Sequence, residues 1–202
     1  VDPIWEKVKS TVDVNAKTAS ITVKGTDKYF ASSDLTADKI KVEVNGKEQT
    51  EGITLKVEED TSVTLTYGRQ YKISVSGFVS DAYQVKLILP PESLYDESGN
   101  TNKETSFILY SCLRETSDES SATSGFLGNT SIQRQKIEKI IFDDYADYTK
   151  DNRWDVSAQE DGSIIAWYET TSRGTYIVHI GSNIIMNGNV NSIYLFSYIG
   201  YD

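Results

Sequence analysis

Ile40-Lys41-Val42-Glu43-Val44-Asn45-Gly46 alternates apolar with charged residues and then ends on an Asn-Gly pair. A strand with one buried and one wet face shows this period of two. Asn-Gly is the pair that best tolerates the two positive φ angles of a type I′ turn. The stretch therefore predicts a β-strand closing into a hairpin at Asn45-Gly46. The same alternation recurs on both sides: Ile21 and Val23 alternate with Thr22 and Lys24, Tyr71, Ile73 and Val75 with Lys72 and Ser74, and Val85 and Leu87 with Lys86. Shorter runs at Val63 to Thr66 and Phe107 to Tyr110 add two more strands. Turn residues at Gly25, Gly52, Gly68, Gly77 and Ser98-Gly99-Asn100 space about seven strands as in a two-sheet sandwich. Ile21, Val23, Val42, Val44, Ile73, Val75, Val85 and Leu87 are its expected core.

The chain has 202 residues, enough for two modules of about 100 residues, each able to bury a core. Lys and Arg number 20 against 30 Asp and Glu, a net charge of −10, which disfavours nucleic-acid phosphates and anionic lipid as partners. One cysteine, Cys112, cannot form an internal disulfide, and with a single histidine it leaves no soft-metal cage. No run approaches the roughly 18 apolar residues of a membrane-spanning helix, so no membrane insertion is expected within the chain.

Residues 1–110 are read as an immunoglobulin-like β-sandwich without the Cys-Trp-Cys core of antibody domains. Lys24-Gly25-Thr26-Asp27-Lys28-Tyr29-Phe30, Thr66-Tyr67-Gly68-Arg69-Gln70-Tyr71 and the loop Asp96 to Glu104 resemble bacterial Ig-like modules that occur in tandem on Gram-positive surface proteins. Residues 111–133, dense in Ser, Thr, Gly and acidic residues, read as a linker. Residues 134–202 read as a small β-rich cap. Ser131 to Phe142 is compatible with helix or strand, with strand favoured by resemblance, and Ile164 to Tyr168 and Tyr176 to Ile180 are strands flanking a turn at Thr170 to Gly174. Tyr194 to Ser197 is a further short strand.

The order Arg153-Trp154-Asp155-Val156-Ser157, Asp161-Gly162-Ser163-Ile164-Ile165-Ala166-Trp167, Tyr176-Ile177-Val178-His179-Ile180-Gly181 and Asn191-Ser192-Ile193-Tyr194-Leu195-Phe196 resembles the segment that opens the repeat array of BspA-like leucine-rich-repeat surface proteins of bacteria. The resemblance implies a mainly β chain, an immunoglobulin-like β-sandwich followed by the N-terminal cap of a repeat (solenoid) array, with repeats following residue 202. It implies a secreted protein at the bacterial cell surface, acting in cell adhesion on a host or neighbouring-cell protein or glycan. The alternative is that residues 137–202 form a carbohydrate-binding module of a secreted protein.

Catalysis needs a nucleophile with a base, a carboxylate pair in an apolar cleft or a phosphate loop, and the sequence displays none of these. No enzyme activity, catalytic residue, metal or cofactor is expected. His179 takes a polar slot between Val178 and Ile180 and reads as structural, while Asp143, Asp144 and Asp147 read as surface charge. The oxygen-rich loops Asp96 to Glu104 and Asp151 to Asp161 are the candidates for calcium, but both lack EF-hand spacing. Trp154 with Val156, and Trp167 with Ile165, are strand-face neighbours expected to pack in one core. Tyr198 and Tyr201 are left as candidates for ligand stacking. Ile193, Leu195, Phe196 and Ile199 are expected near the side that the array would cover.

Overall fold

Strict alternation in the first half of the chain produces strands with one fully buried face. The computed structural model describes residues 1–79, 81–116, 132–188, 195–196 and 199–200. The fold is mainly β, half strand and almost without helix, and is built from several sheets. In chain order the strands are β1 (Ile4–Asp13), β2 (Thr18–Thr26), β3 (Phe30–Ser33), β4 (Lys41–Val44), β5 (Lys47–Glu48), β6 (Thr54–Glu59), β7 (Gly68–Ser76), β8 (Gln84–Leu89), β9 (Leu94–Asp96), β10 (Thr105–Cys112), β11 (Ile137–Asp143), β12 (Trp154–Asp155), β13 (Ile165–Thr170), β14 (Tyr176–Gly181) and β15 (Ile185–Asn187). Two compact units divide the chain between Leu109 and Tyr110, within β10.

In the first unit one antiparallel sheet has the order β1-β2-β7-β6, and in the other β10, β8, β4 and β5 follow one another. Ile21, Val23, Ile73 and Val75 on the first sheet and Val42, Val44, Val85 and Leu87 on the second are all at most 6% exposed. Lys41 lies exposed and Glu43 half-buried between their buried neighbours, the register that the alternation predicts. β4 turns into β5 through Asn45 (φ 52°) and Gly46 (φ 76°), with Val44 opposite Lys47, so the two-residue hairpin forms where expected.

Directly opposed residues share a face of a sheet. The outer face of β1-β2-β7-β6 is accordingly organised in rows across the strands: Lys9-Thr22-Lys72-Glu58, Thr11-Ser20-Ser74-Lys56 and Asp13-Thr18-Ser76-Thr54. These rows carry no apolar side chain.

Three readings of the first half need correction. Val63 to Thr66 is not a strand, because the Asp60 carboxylate accepts the Ser62 backbone N–H (3.1 Å) and folds a turn there that leaves Val63 40% exposed. Gly25 lies inside β2 rather than at a turn, whereas Gly68 opens β7 directly after the turn at Tyr67. A Cβ at Gly25 would overlap Leu94, and one at Gly68 would overlap the Gly25 carbonyl oxygen, so both glycines serve close approach. A first strand at Ile4–Asp13 and the strands β3, β6 and β9 add pairings that the sequence did not reveal.

The second unit is built on the sheet β11-β14-β13-β12, in which β14 pairs parallel with β11 and antiparallel with β13. Its central run Ile164-Ile165-Ala166-Trp167 is buried throughout, as in a strand covered on both faces. Ile164 and Ala166 join Val156, Val178, Ile180 and Leu195 in one cluster, with Trp154 half-buried against it. Ile165 and Trp167 meet Ala146 in another. The single core expected for Trp154, Val156, Ile165 and Trp167 is therefore two clusters, because neighbours along a strand point to opposite faces.

The linker expected over 111–133 is corrected at both ends. Ser111 and Cys112 complete β10, which pairs parallel with β15, and Leu113 bridges to Ser157; all three are buried. Ile132 is buried in the larger cluster. Residues 117–131 of that expectation lie outside the described residues, as do Tyr194 and Ser197; Leu195 and Phe196, expected in a short strand, lie in a turn.

Candidate functional site

The parallel register of β11 on β14 brings together residues that are far apart in sequence. His179 stands opposite Trp167 on β13 and Ile141 on β11. Its ring stacks on the Trp167 indole with centroids 5.2 Å apart and planes within 9°. Its Nδ1 lies 2.8 Å from the Asp143 carboxylate. Such an orienting carboxylate is what a general-base histidine uses, but the far nitrogen, Nε2, is sealed from solvent and meets no hydrogen-bond partner among the described residues. The Asp143 carboxylate and the Trp167 indole thus fix the orientation of the His179 ring.

Asp143 thus leaves the surface cluster in which the sequence placed it, whereas Asp144 is exposed. Asp147 accepts the backbone N–H (3.1 Å) and hydroxyl (2.5 Å) of Thr149, which hold its carboxyl below the usual range. Only the parallel pairing, which the sequence does not announce, could have separated the three.

In the two oxygen-rich loops Asp96, Asp155 and Asp161 bond mainly to nearby backbone and side-chain groups. Asp96 accepts the Asn100 side-chain amide (2.7 Å) and the N–H groups of Asn100 and Ser98 (2.8 Å each), with Asn100 the main cause of its lowered pKa. Asp155 accepts the Ser157 N–H (2.7 Å) and hydroxyl (2.6 Å) and the Gly162 N–H (3.0 Å), while Asp161 accepts the Ser163 N–H (3.0 Å). Among the described residues no three His, Cys, Asp or Glu side chains converge as a metal site.

Buried Asn102 is committed in the same way. It accepts the N–H groups of Ser93 (2.8 Å) and Leu94 (2.7 Å) and donates to the carbonyls of Pro90 (2.9 Å) and Lys103 (2.8 Å). Burial pushes the Cys112 thiol up to about 11, so it is neutral and inert at physiological pH.

Exposed aromatic rings gather on one segment that the sequence did not single out: Phe142, Tyr145 and Tyr148 are 51%, 51% and 46% exposed. The loop that carries them is held from several directions. Ala146 is buried on Trp167, and its N–H donates to the Asn183 side-chain oxygen (2.9 Å). The Tyr148 hydroxyl donates to the Gly162 carbonyl (2.9 Å), and the Tyr145 ring sits 6.0 Å from Trp167. A side chain at Gly181 would strike the Tyr145 carbonyl oxygen, which explains the glycine there. Fixed, half-exposed tyrosines can stack on a ligand at little entropic cost. Trp167, by contrast, is 1% exposed and belongs to the core. Tyr198 and Tyr201 lie outside the described residues.

No family model, curated protein or solved structure matches the chain.

Proposed function

We propose that the chain is a non-catalytic part of an exported bacterial surface protein. In this reading an immunoglobulin-like sandwich serves as spacer, the second unit caps a leucine-rich-repeat array, and the whole attaches the cell to a host or neighbouring-cell surface protein or glycan. The observation that carries the reading is the parallel pairing in the second unit, β11 with β14 and β10 with β15. Hairpin-linked chains pair antiparallel, whereas a solenoid stacks its repeats in parallel. The C-terminal residues support it too: Leu195 is buried, Ile199 packs on the same cluster, and Phe196 remains 53% exposed where a following repeat could cover it.

Extending the protein through two or three following repeats and unfolding it in denaturant tests the reading. The second unit's transition should move to higher denaturant, by about 25 cal/mol for each Å² of apolar surface newly covered, less the entropy of ordering the added residues. An unmoved transition rejects the cap. The carbohydrate-binding alternative for residues 137–202 is favoured by the Tyr145 and Tyr148 rings, and a glycan array would support it if binding were lost in Tyr145→Ala and Tyr148→Ala.

A further inference from the structure

The outer face of β1-β2-β7-β6 holds two adjoining clefts, of about 440 and 490 Å³, which share Thr11 and Ser20 as lining residues. Their floor follows the middle of the rows described above: Thr18, Ser20 and Thr22 on β2, Ser74 and Ser76 on β7. Lysines and carboxylates of β1 and β6 stand along the sides, and Lys72 projects from the floor strand β7. Apart from Lys72, the central positions of the rows hold only serine and threonine, which leaves room above the floor. Thr22 shows its depth, being 6% exposed although it points away from the core formed by Ile21 and Val23. The Thr11 and Ser20 hydroxyls bond each other at 2.8 Å across β1 and β2, fixing that part of the floor. At about 3.3 Å per residue the floor from Thr18 to Thr22 is about 13 Å long.

The lining identifies a ligand by its chemistry. It offers hydroxyls, ammonium groups and carboxylates, hence donors and acceptors together. Three lysines, Lys9, Lys56 and Lys72, face four carboxylates, so the charges nearly cancel. Glu58 is already paired with Lys56 (2.8 Å) and Glu59 with Arg69 (3.2 Å), and the Asp60 carboxyl is held below its usual range, mainly by the Ser62 and Gln70 side chains. Neither a polyanion nor a polycation is favoured by such a surface, and of the apolar residues lining the second cleft Ala19 and Val75 are buried, which leaves only half-buried Val12 to meet a hydrophobic peptide. A neutral chain of hydroxyl groups suits it best. We infer that the trough along β2 and β7 binds a neutral oligosaccharide, on a surface of the first unit separate from the aromatic loop of the second. This inference does not depend on the repeat-cap reading.

The test is a ¹H–¹⁵N NMR titration of the whole chain with xylohexaose, cellohexaose and mannohexaose, alongside hexalysine and a heparin hexasaccharide. At least one neutral sugar should shift the amide signals of Thr11, Ser20, Thr22 and Ser74. Ser74→Tyr, which fills the floor with a side chain that strands accept, should weaken that binding about tenfold or more. Ser20→Tyr serves the same purpose if the first variant unfolds. Absence of shifts with every neutral sugar overturns the inference. So do shifts confined to residues 142–148, an equal response to the charged ligands, or unchanged affinity in a folded trough-filling variant.

Discussion

Asn45 does two jobs with one side chain. It holds a left-handed backbone (φ 52°), and its side-chain oxygen accepts the N–H groups of Tyr83 (2.8 Å) and Gln84 (3.2 Å) at the entry to β8. Asn45→Ala should cost about 1–3 kcal/mol in urea unfolding, because two half-buried donors lose their acceptor. Asn45→Gly, which keeps the backbone freedom and loses the same bonds, should recover only the smaller, conformational part of that loss. Cys112 gives a test in pH. Its thiol rises from 9.0 to about 11 on folding, so between these values the unfolded chain has released a proton that the folded one retains. Folding stability contributed by the neutral thiol is therefore present below 9 and lost as pH climbs toward 11; the buried Tyr110 hydroxyl, also pushed up, acts in the same sense. Native protein at pH 8 should resist iodoacetamide and react only when unfolded, and rapid labelling of native Cys112 would refute its burial.

Among the strands, β13 has the most to lose, since apolar side chains leave it toward both faces. Trp167→Ala should cost about 3–5 kcal/mol in denaturant unfolding, whereas Tyr145→Ala, removing a half-exposed ring, should cost far less. Equal losses would mean that Tyr145 is a core residue. The strands that were legible in sequence are those where alternation runs unbroken, such as Ile40 to Val44 and Tyr71 to Val75. β1 escaped for a physical reason. A register shift between Lys7 and Lys9 inserts an extra residue, so the inward positions Trp5 and Val12, opposite Gly25 and Ala19, are an odd number of residues apart. A period-two pattern cannot survive that bulge. In β6 only Leu55 and Val57 alternate, and on an edge strand both stay half-buried, too little to separate strand from loop. The partnership of His179 with Asp143 was likewise invisible, because it arises from a parallel pairing that carries no turn signal.

At the scale of the molecule, the division at Leu109 and Tyr110 falls inside a strand, so a useful cut is set by what each unit needs from β10. Leu109 is fully buried, and β10 stands beside β8 in sheet order. A fragment of residues 1–109 should therefore unfold cooperatively in urea, while 1–104 should show a much weaker transition or none. Equal stability of the two would place Thr105–Leu109 outside the first unit's core. A module boundary within an apolar strand had no compositional mark. The rows across β1-β2-β7-β6 carry a last consequence, for how the protein can diverge. Each outward residue alternates with an inward one, so the trough and the core are written in separate letters of the same strands. Ile21, Val23, Ile73 and Val75 are tied to packing, while Thr18, Ser20, Ser74 and Ser76 can be exchanged at little cost to folding. Thr22, sunk between lysines, is the exception. Diverged copies of the chain should then accumulate substitutions along every second residue of β2 and β7, changing what the face can recognise while the scaffold stays the same.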